Sequence, residues 1–278
     1  MKRTLSFFTI ATIVLAVTSL TLSATQSDPK PVRAAVIGGM TMVPLWSEIQ
    51  KRFEARTGIR VKVVATGEKP ALARTMKEGK VDFLTMHSSD QTSNLVADGY
   101  AINMRPWAKN ELVIVGPSSD PAAIAGMTDG VEAVKKIAAA QANWLDFHSV
   151  GPREMAHMLF ADAKVPMIGP WVLKYENTVN KDILHYAAKK NAHMIVGRMA
   201  VVFRKMEPDP KIKILVQGDP KMRRPYMEMI ANPDRFPDAN VEGAQKLSDF
   251  LLSDEIQKFL AGYDGGLGDG IPIFFPVF

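Results

Sequence analysis

The chain has no cysteine among its 278 residues. No disulfide framework supports its fold, and no thiol is available as nucleophile or metal ligand. The same absence removes the residue that would receive a lipid directly after an export leader, so a freely diffusing protein is expected rather than a tethered lipoprotein, and separately a monomer is expected. Beyond the first two dozen residues, no apolar run approaches the roughly 18 residues of a membrane-spanning helix. Basic runs are also missing. The 34 Lys and Arg are interleaved with 29 Asp and Glu, so the net charge of +5 leaves no nucleic-acid footprint and only mildly favours a small anion. Catalytic signatures are absent too: there is no Gly-x-Ser-x-Gly, no Walker loop, and no Gly-x-Gly-x-x-Gly after a strand. The glycine-rich stretch from Gly265 to Gly270 follows a helical pattern and reads as a turn, in which Asp264 and Asp269 have no neighbouring base. His87, His148, His157, His185 and His193 include no i, i+4 pair and no His-Glu-x-x-His, which speaks against a zinc site. The composition therefore points away from enzymes, and nothing in it requires a cofactor or a resident metal.

What is present begins with a leader. Met1-Lys2-Arg3 is basic, Leu5 to Leu22 is apolar apart from Ser and Thr, and Ser23-Ala24 closes the run, the pattern of a signal peptide cleaved near Ala24. An uncleaved membrane anchor is the alternative.

After a Pro-containing linker, strands and helices alternate. Ala34–Ile37, Ile59–Val64 and Val81–Thr85 read as strands, while Pro44–Arg56, Ala71–Glu78 and Gln91–Asp98 read as helices, stopped at Gly58, Gly79 and Gly99. Three such units predict a parallel sheet with right-handed crossovers. Glu111–Val115 reads as a strand that carries the chain across rather than into another helix. Val131–Asn143 reads as a helix, followed by Trp144-Leu145-Asp146-Phe147, and His148–Arg153 reads as a loop leading to a helix through Phe160, with Pro152 at its first position. Met194–Val196, Lys213–Val216 and Tyr226–Ile230 are later strands, and Val241–Leu252 and Ser253–Ala261 are closing helices. The sixteen methionines mostly occupy apolar positions and are expected to fill the core, as are Trp144 and Trp171.

Three loops look able to bind. Gly38-Gly39-Met40-Thr41 and His87-Ser88-Ser89-Asp90 each follow a strand and precede a helix, where free N–H groups and hydroxyls face an anionic or polar ligand. Gly39, Thr41, His87, Ser88 and Ser89 are the candidates there, with helix N-capping as the plainer role for the hydroxyls. Ser149, Gly151 and Arg153 form a third such end, in which Arg153 either grips an anion bidentately or pairs with Asp146 or Glu154. An oxyanion needs about six to eight donors and no catalytic group.

Thr57-Gly58-Ile59 to Val64, Gly79-Lys80-Val81-Asp82-Phe83-Leu84 with His87, Asp98-Gly99-Tyr100, Asn110 to Pro117 with Asp120-Pro121, Val216 to Pro220 with Pro225-Tyr226, Ala231-Asn232-Pro233, and Gly270 to Pro276 follow one another along the chain. This order of motifs resembles the extracellular solute-binding proteins of ABC importers, of the tungstate-binding type. It implies a two-lobed α/β fold of the type II-like periplasmic-binding-protein kind, each lobe a mostly parallel sheet flanked by helices, with two chain crossovers at the hinge. Lobe I would comprise residues 33–115 and 223–278, and lobe II residues 116–222, with hinge strands near Val113–Gly116 and Met222–Met227. The resemblance further implies capture of tungstate or molybdate in the cleft, delivery to an ABC permease in the inner membrane, and a periplasmic location. By the same resemblance Arg198, which follows Gly197, faces either the ligand or an inter-lobe salt bridge. The chain departs from the pattern at the third loop, where the family's ligand-contacting arginine falls on Phe147. Another small anion or organic acid, or a periplasmic sensor of the same fold, stays open as an alternative.

Overall fold

The computed structural model describes residues 29–178 and 181–278; the expected leader, residues 1–24, lies outside them. The elements run β1 (Val32–Ile37), α1 (Gly38–Thr41), α2 (Leu45–Thr57), β2 (Val61–Gly67), α3 (Lys69–Lys77), β3 (Phe83–His87), α4 (Asp90–Ala97) and β4 (Ala101–Pro117). They continue with α5 (Gly130–Ala139), β5 (Trp144–His148), α6 (Val150–Asp162), β6 (Val172–Thr178), α7 (Ile183–Lys190), β7 (Met194–Gly197), α8 (Arg198–Val202) and β8 (Ile212–Val216). A short turn of 3-10 helix, Pro220–Met222, leads into β9 (Arg223–Ala231), α9 (Val241–Leu251), α10 (Asp254–Gly262) and β10 (Phe274–Phe275).

Strand directions define two lobes. β1 pairs in parallel with β2 and β3, while β9 runs antiparallel between β3 and β4, so β4 points the same way as β1, β2 and β3. β10 closes the edge antiparallel to β4. Past Glu111, β4 leaves this sheet and enters a second one, antiparallel to β7 on one side and β8 on the other. β5 lies beside β7 through the parallel Trp144–His193 bridge, and β6 extends the sheet in parallel. Each lobe is thus mostly parallel, and apart from the short edge strand β10 the reversed strand in each is one that leads to or from the other lobe. This is the expected two-lobed α/β fold.

Apolar periodicity fixes the cores. Trp46, Phe53, Phe83, Trp107 and Phe250 are buried in the first lobe. In the second, β4 alternates, sending Leu112 and Ile114 to a cluster with Trp144 and Phe160, and Val113 and Val115 to one with Leu145, Phe147 and Met194. A strand buried on both faces reads as a continuous apolar run. Trp171 is buried, as are Met155, Met194, Met199, Met222 and Met229, whereas Met158 is exposed on α6. Among the described residues no helix is long and apolar enough to cross a membrane.

Several expectations need correction. Gly38–Thr41 is a turn of α-helix rather than an open loop. β4 extends over 17 residues rather than five, because Pro106 sits at an irregularity in the β4–β9 register, where its missing N–H costs no ladder bond. Helix α6 begins at Val150, so Pro152 is its third residue, still within the turn whose N–H groups lack intrahelical partners. β6, α7 and α8 were not anticipated. Gly58 does cap α2 as expected, in the left-handed region at φ 70°, its N–H donating to the carbonyl of Glu54.

Candidate functional site

The carboxyl ends of both sheets meet at the hinge. β1 and β3 end at Ile37 and His87, on the edge toward which β4 runs as it leaves the first lobe. In the second lobe β4 enters from that edge, so the strands opposed to it end there: Gly197, the last residue of β7, lies opposite Leu112. The starts of α1, α4, α6 and α8 therefore converge on the hinge, each with N–H groups unsatisfied within its helix.

β9 carries the charge into this junction. Arg224 and Tyr226, two residues apart, share one face of the strand; Arg224 lies opposite Asn110 of β4, and Tyr226 lies opposite His87 of β3. The Tyr226 and His87 rings are 4.0 Å apart between centroids, and Arg224 Nη2 approaches His87 Nε2 at 3.4 Å. Lys69, first residue of α3, donates from Nζ to the carbonyl of Ser88 at 3.3 Å. Across the cleft, Arg224 lies against the first turn of α6, where a Cβ built on Gly151 would stand 2.1 Å from its Nη1. Only glycine leaves room for the guanidinium in its present position.

The electrostatics are those of a site short of negative charge. Among the described residues Arg224 has no carboxylate within ion-pair distance, and its Nε is buried without a partner. Burial pushes the guanidinium down from its ordinary pKa, and burial likewise lowers Lys69, with Arg224 adding to the effect. Burial first, then Arg224 and Lys69, hold His87 well below the usual histidine range, so the imidazole is neutral at pH 7. The Tyr226 hydroxyl, fully buried, has no partner, and a Cβ on Gly39 would lie 3.6 Å from it. Ser89 Oγ and Asn110 Oδ1 are also buried without partners.

The residues singled out from the sequence are distributed unevenly. Gly39, His87, Ser88 and Gly151 fall around Arg224 and Tyr226 as described. The Ser88 N–H donates to the Pro225 carbonyl at 3.1 Å and the Ser89 N–H to Thr92 Oγ1 at 3.0 Å, so neither amide is free for a ligand, and Ser89 is the N-cap of α4 in a capping box with Thr92. Thr41 is exposed, its hydroxyl 3.0 Å from that of Thr66 and 3.1 Å from the Gly38 carbonyl. Ser149 is the residue before α6, and its carbonyl accepts from the Arg153 N–H at 2.9 Å. Arg153 takes the pairing option, with Nη2 donating to Asp146 at 2.9 Å, and lines an open groove of about 470 Å³ with His148, Ser149, Glu154 and His157. Arg198 is 3% exposed and bound to Asp269 of the C-terminal turn at 2.6 Å, while its Nε and Nη1 are buried without partners. It lies in a second group with Arg223 and the buried Glu111, whose carboxylate accepts from the Gly218 N–H and is raised in pKa by burial. Phe147, at the position of the family's arginine, is core. Among the described residues no group of three His, Asp or Glu is arranged to hold a metal.

Arg224, Tyr226 and Lys69 were missed. Arg224 precedes the expected strand Tyr226–Ile230, and Lys69 reads as part of a turn, Thr66 to Pro70; the available signal was that Arg224 falls within the expected hinge strand Met222–Met227.

Two α/β lobes sharing long crossing strands, with strand ends meeting at the hinge beside an arginine that has no carboxylate partner among the described residues, define a two-lobed binding protein. The chain belongs to the bacterial extracellular solute-binding protein family, whose sequence model matches residues 34–263. It is 28% identical over 290 residues to the tungstate-binding protein TupA of Peptoclostridium acidaminophilum, covering 99% of each chain. A Haloferax volcanii protein named as an ABC transporter anion-binding protein is 28% identical over 232 residues, 81% of this chain and 65% of that one, so the match spans slightly under two thirds of that relative. Among solved structures, the tungstate-binding protein TupA of Desulfovibrio alaskensis G20 superposes with a TM-score of 0.74 at 25% identity, covering 88% of this chain and 98% of that one. The tungstate ABC transporter structure from Geobacter sulfurreducens gives a TM-score of 0.66 at 26% identity, covering 84% and 99%.

Proposed function

We propose that this chain is the periplasmic substrate-binding component of an ABC importer, which captures a small oxyanion, tungstate foremost and molybdate next, between lobe I (33–115 and 223–278) and lobe II (116–222). It is exported by a signal peptide cleaved near Ala24, acts as an unlipidated monomer, and delivers its ligand to an inner-membrane permease. Neither nucleic acid nor any catalytic chemistry enters this role. The observation that carries the reading is Arg224, a guanidinium without a carboxylate partner among the described residues, set beside His87 and Lys69 and against the first turn of α6. An unpaired buried cation is costly, and an anion offsets that cost directly. Gly39, Thr41, His87, Ser88 and Ser89 supply donors from lobe I, and Ser149, Gly151, Arg153 and Arg198 supply donors from lobe II. The anion stabilises the closed arrangement by contacting both. The names of the relatives support tungstate as the first ligand to try.

The test is titration of the purified protein with tungstate, molybdate, sulfate, phosphate and formate, followed by thermal melting and calorimetry. Saturable stabilisation by tungstate or molybdate is expected, about 2.7 kcal/mol at a hundredfold excess over Kd. No shift with any oxyanion would overturn the reading.

A further inference from the structure

Glu154 lies three residues beyond Gly151 on α6, a spacing that puts the two on neighbouring positions of one helix face. Gly151 is where the Arg224 guanidinium rests, so Glu154 stands one turn along the helix from that point. Glu154 also lines the open groove at the lobe II lip, with an exposed side chain that makes no ion pair or hydrogen bond among the described residues. Two lobe I cations nevertheless feel it. Glu154 is the one carboxylate among the described residues acting on Arg224, and it acts on Lys69 together with Asp90. The remaining charges and donors around it, Arg153, His148 and His157, belong to lobe II and add no negative charge to the lobe I pair.

We propose that Glu154 sets the affinity and charge selectivity of the anion site: it is the internal counter-ion that balances Arg224 and Lys69 when the site is empty, and its charge competes with an entering anion. The inference rests on the proposed anion-binding role of the same site. A fixed negative charge near the ligand opposes a dianion twice as strongly as a monoanion, so Glu154 holds down dianion affinity most. Without it, the empty site has two cations facing a helix N-terminus with little to offset them.

The test is Glu154→Gln, which keeps shape and removes charge, beside Glu132→Gln on α5 as a control for loss of a carboxylate elsewhere in lobe II. By calorimetry, Glu154→Gln is expected to bind tungstate about three- to tenfold more tightly than wild type while formate changes by about two- to threefold, half the effect in free energy. In thermal melts without ligand, it is expected to fall about 1–3 °C below wild type at low salt and to recover as chloride screens the cations. Glu132→Gln is expected to leave tungstate affinity unchanged. Tungstate binding by Glu154→Gln that is equal to or weaker than wild type overturns the proposal. Should wild type bind neither anion, the proposed function fails, and the ligand-free melts still decide the counter-ion role: identical curves for wild type and Glu154→Gln at both salt concentrations overturn it.

Discussion

Replacing Arg224 with methionine separates ligand recognition from folding, because its two effects have opposite signs. The side chain is half-buried beside Tyr226 and His87 and has no carboxylate partner among the described residues. Burying a guanidinium without a carboxylate partner costs free energy, and an apolar side chain in its place escapes that cost. The ligand-free variant should therefore melt at or above wild type. For the anion the balance reverses. A unit charge about 4 Å from a cation gains about 4 kcal/mol at an effective dielectric constant of 20, and desolvation returns part of that. Charge-assisted hydrogen bonds contribute about 1.5–3 kcal/mol each. A net loss of about 3–4 kcal/mol corresponds to a Kd weakened about 150- to 1,000-fold. Calorimetric titration with tungstate and urea melts of both ligand-free proteins measure the two quantities. If Arg224→Met binds within tenfold of wild type, or unfolds more than about 1 kcal/mol more easily, the guanidinium is a structural group and the account of the site is wrong.

Two further outcomes follow from neighbouring residues. His87 has a pKa lowered well below 6.5, first by burial and then by Arg224 and Lys69. The unfolded chain therefore binds more protons as pH falls below about 6.5, and ligand-free stability should drop between about pH 7 and 5, a drop that His87→Gln flattens. Because a bound anion favours the imidazolium, tungstate binding near pH 5.5 should take up protons, seen as a calorimetric enthalpy that changes with buffer ionisation heat; a buffer-independent enthalpy refutes it. Gly151→Ala puts a methyl where Arg224 Nη1 now lies, 2.1 Å from the ideal Cβ. The flexible arginine moves aside, so folding should survive with a change within about 1 kcal/mol while tungstate affinity falls at least about tenfold, measured by melting and titration on one sample.

Much of the fold was legible because its periodicities are simple. Leu45, Ile49 and Phe53 recur at helical spacing and Gly58 stops the helix, so α2 could be placed to within about a residue. The buried run at Leu112–Val115 likewise announced a central strand. The preceding half of β4 did not, since Asn103, Arg105 and Pro106 interrupt the alternation where the ladder is irregular, and the strand changes partners from β9 to β7 and β8 midway. The site was legible where it follows strand ends, as at Gly39 and His87. It was illegible at Arg224 because what distinguishes that arginine is the absence of a carboxylate nearby in space. Spacing along the chain carries no trace of that, whereas Asp146, the observed partner of Arg153, was one of the two carboxylates near it in sequence that the reading kept open.

The position of Arg224 also bears on how closure would work on the proposed reading. Its backbone pairs with Asn110 within the lobe I sheet, and the same side chain reaches His87, so the cation stays with lobe I as the lobes rotate. A ligand is thus held by Arg224, His87 and Lys69 in open and closed arrangements alike, and these contacts raise affinity without choosing between them. Only what arrives with lobe II, here the first turn of α6 at Gly151, differs between the two states. A ligand shifts a conformational equilibrium by no more than its differential affinity. Arg224→Met should therefore weaken binding while leaving the ligand-induced compaction of any anion still bound, whereas Gly151→Ala should weaken both. Small-angle scattering at saturating tungstate distinguishes them, and equal loss of compaction in the two variants would place Arg224 in the closing step and refute the division of labour between the lobes.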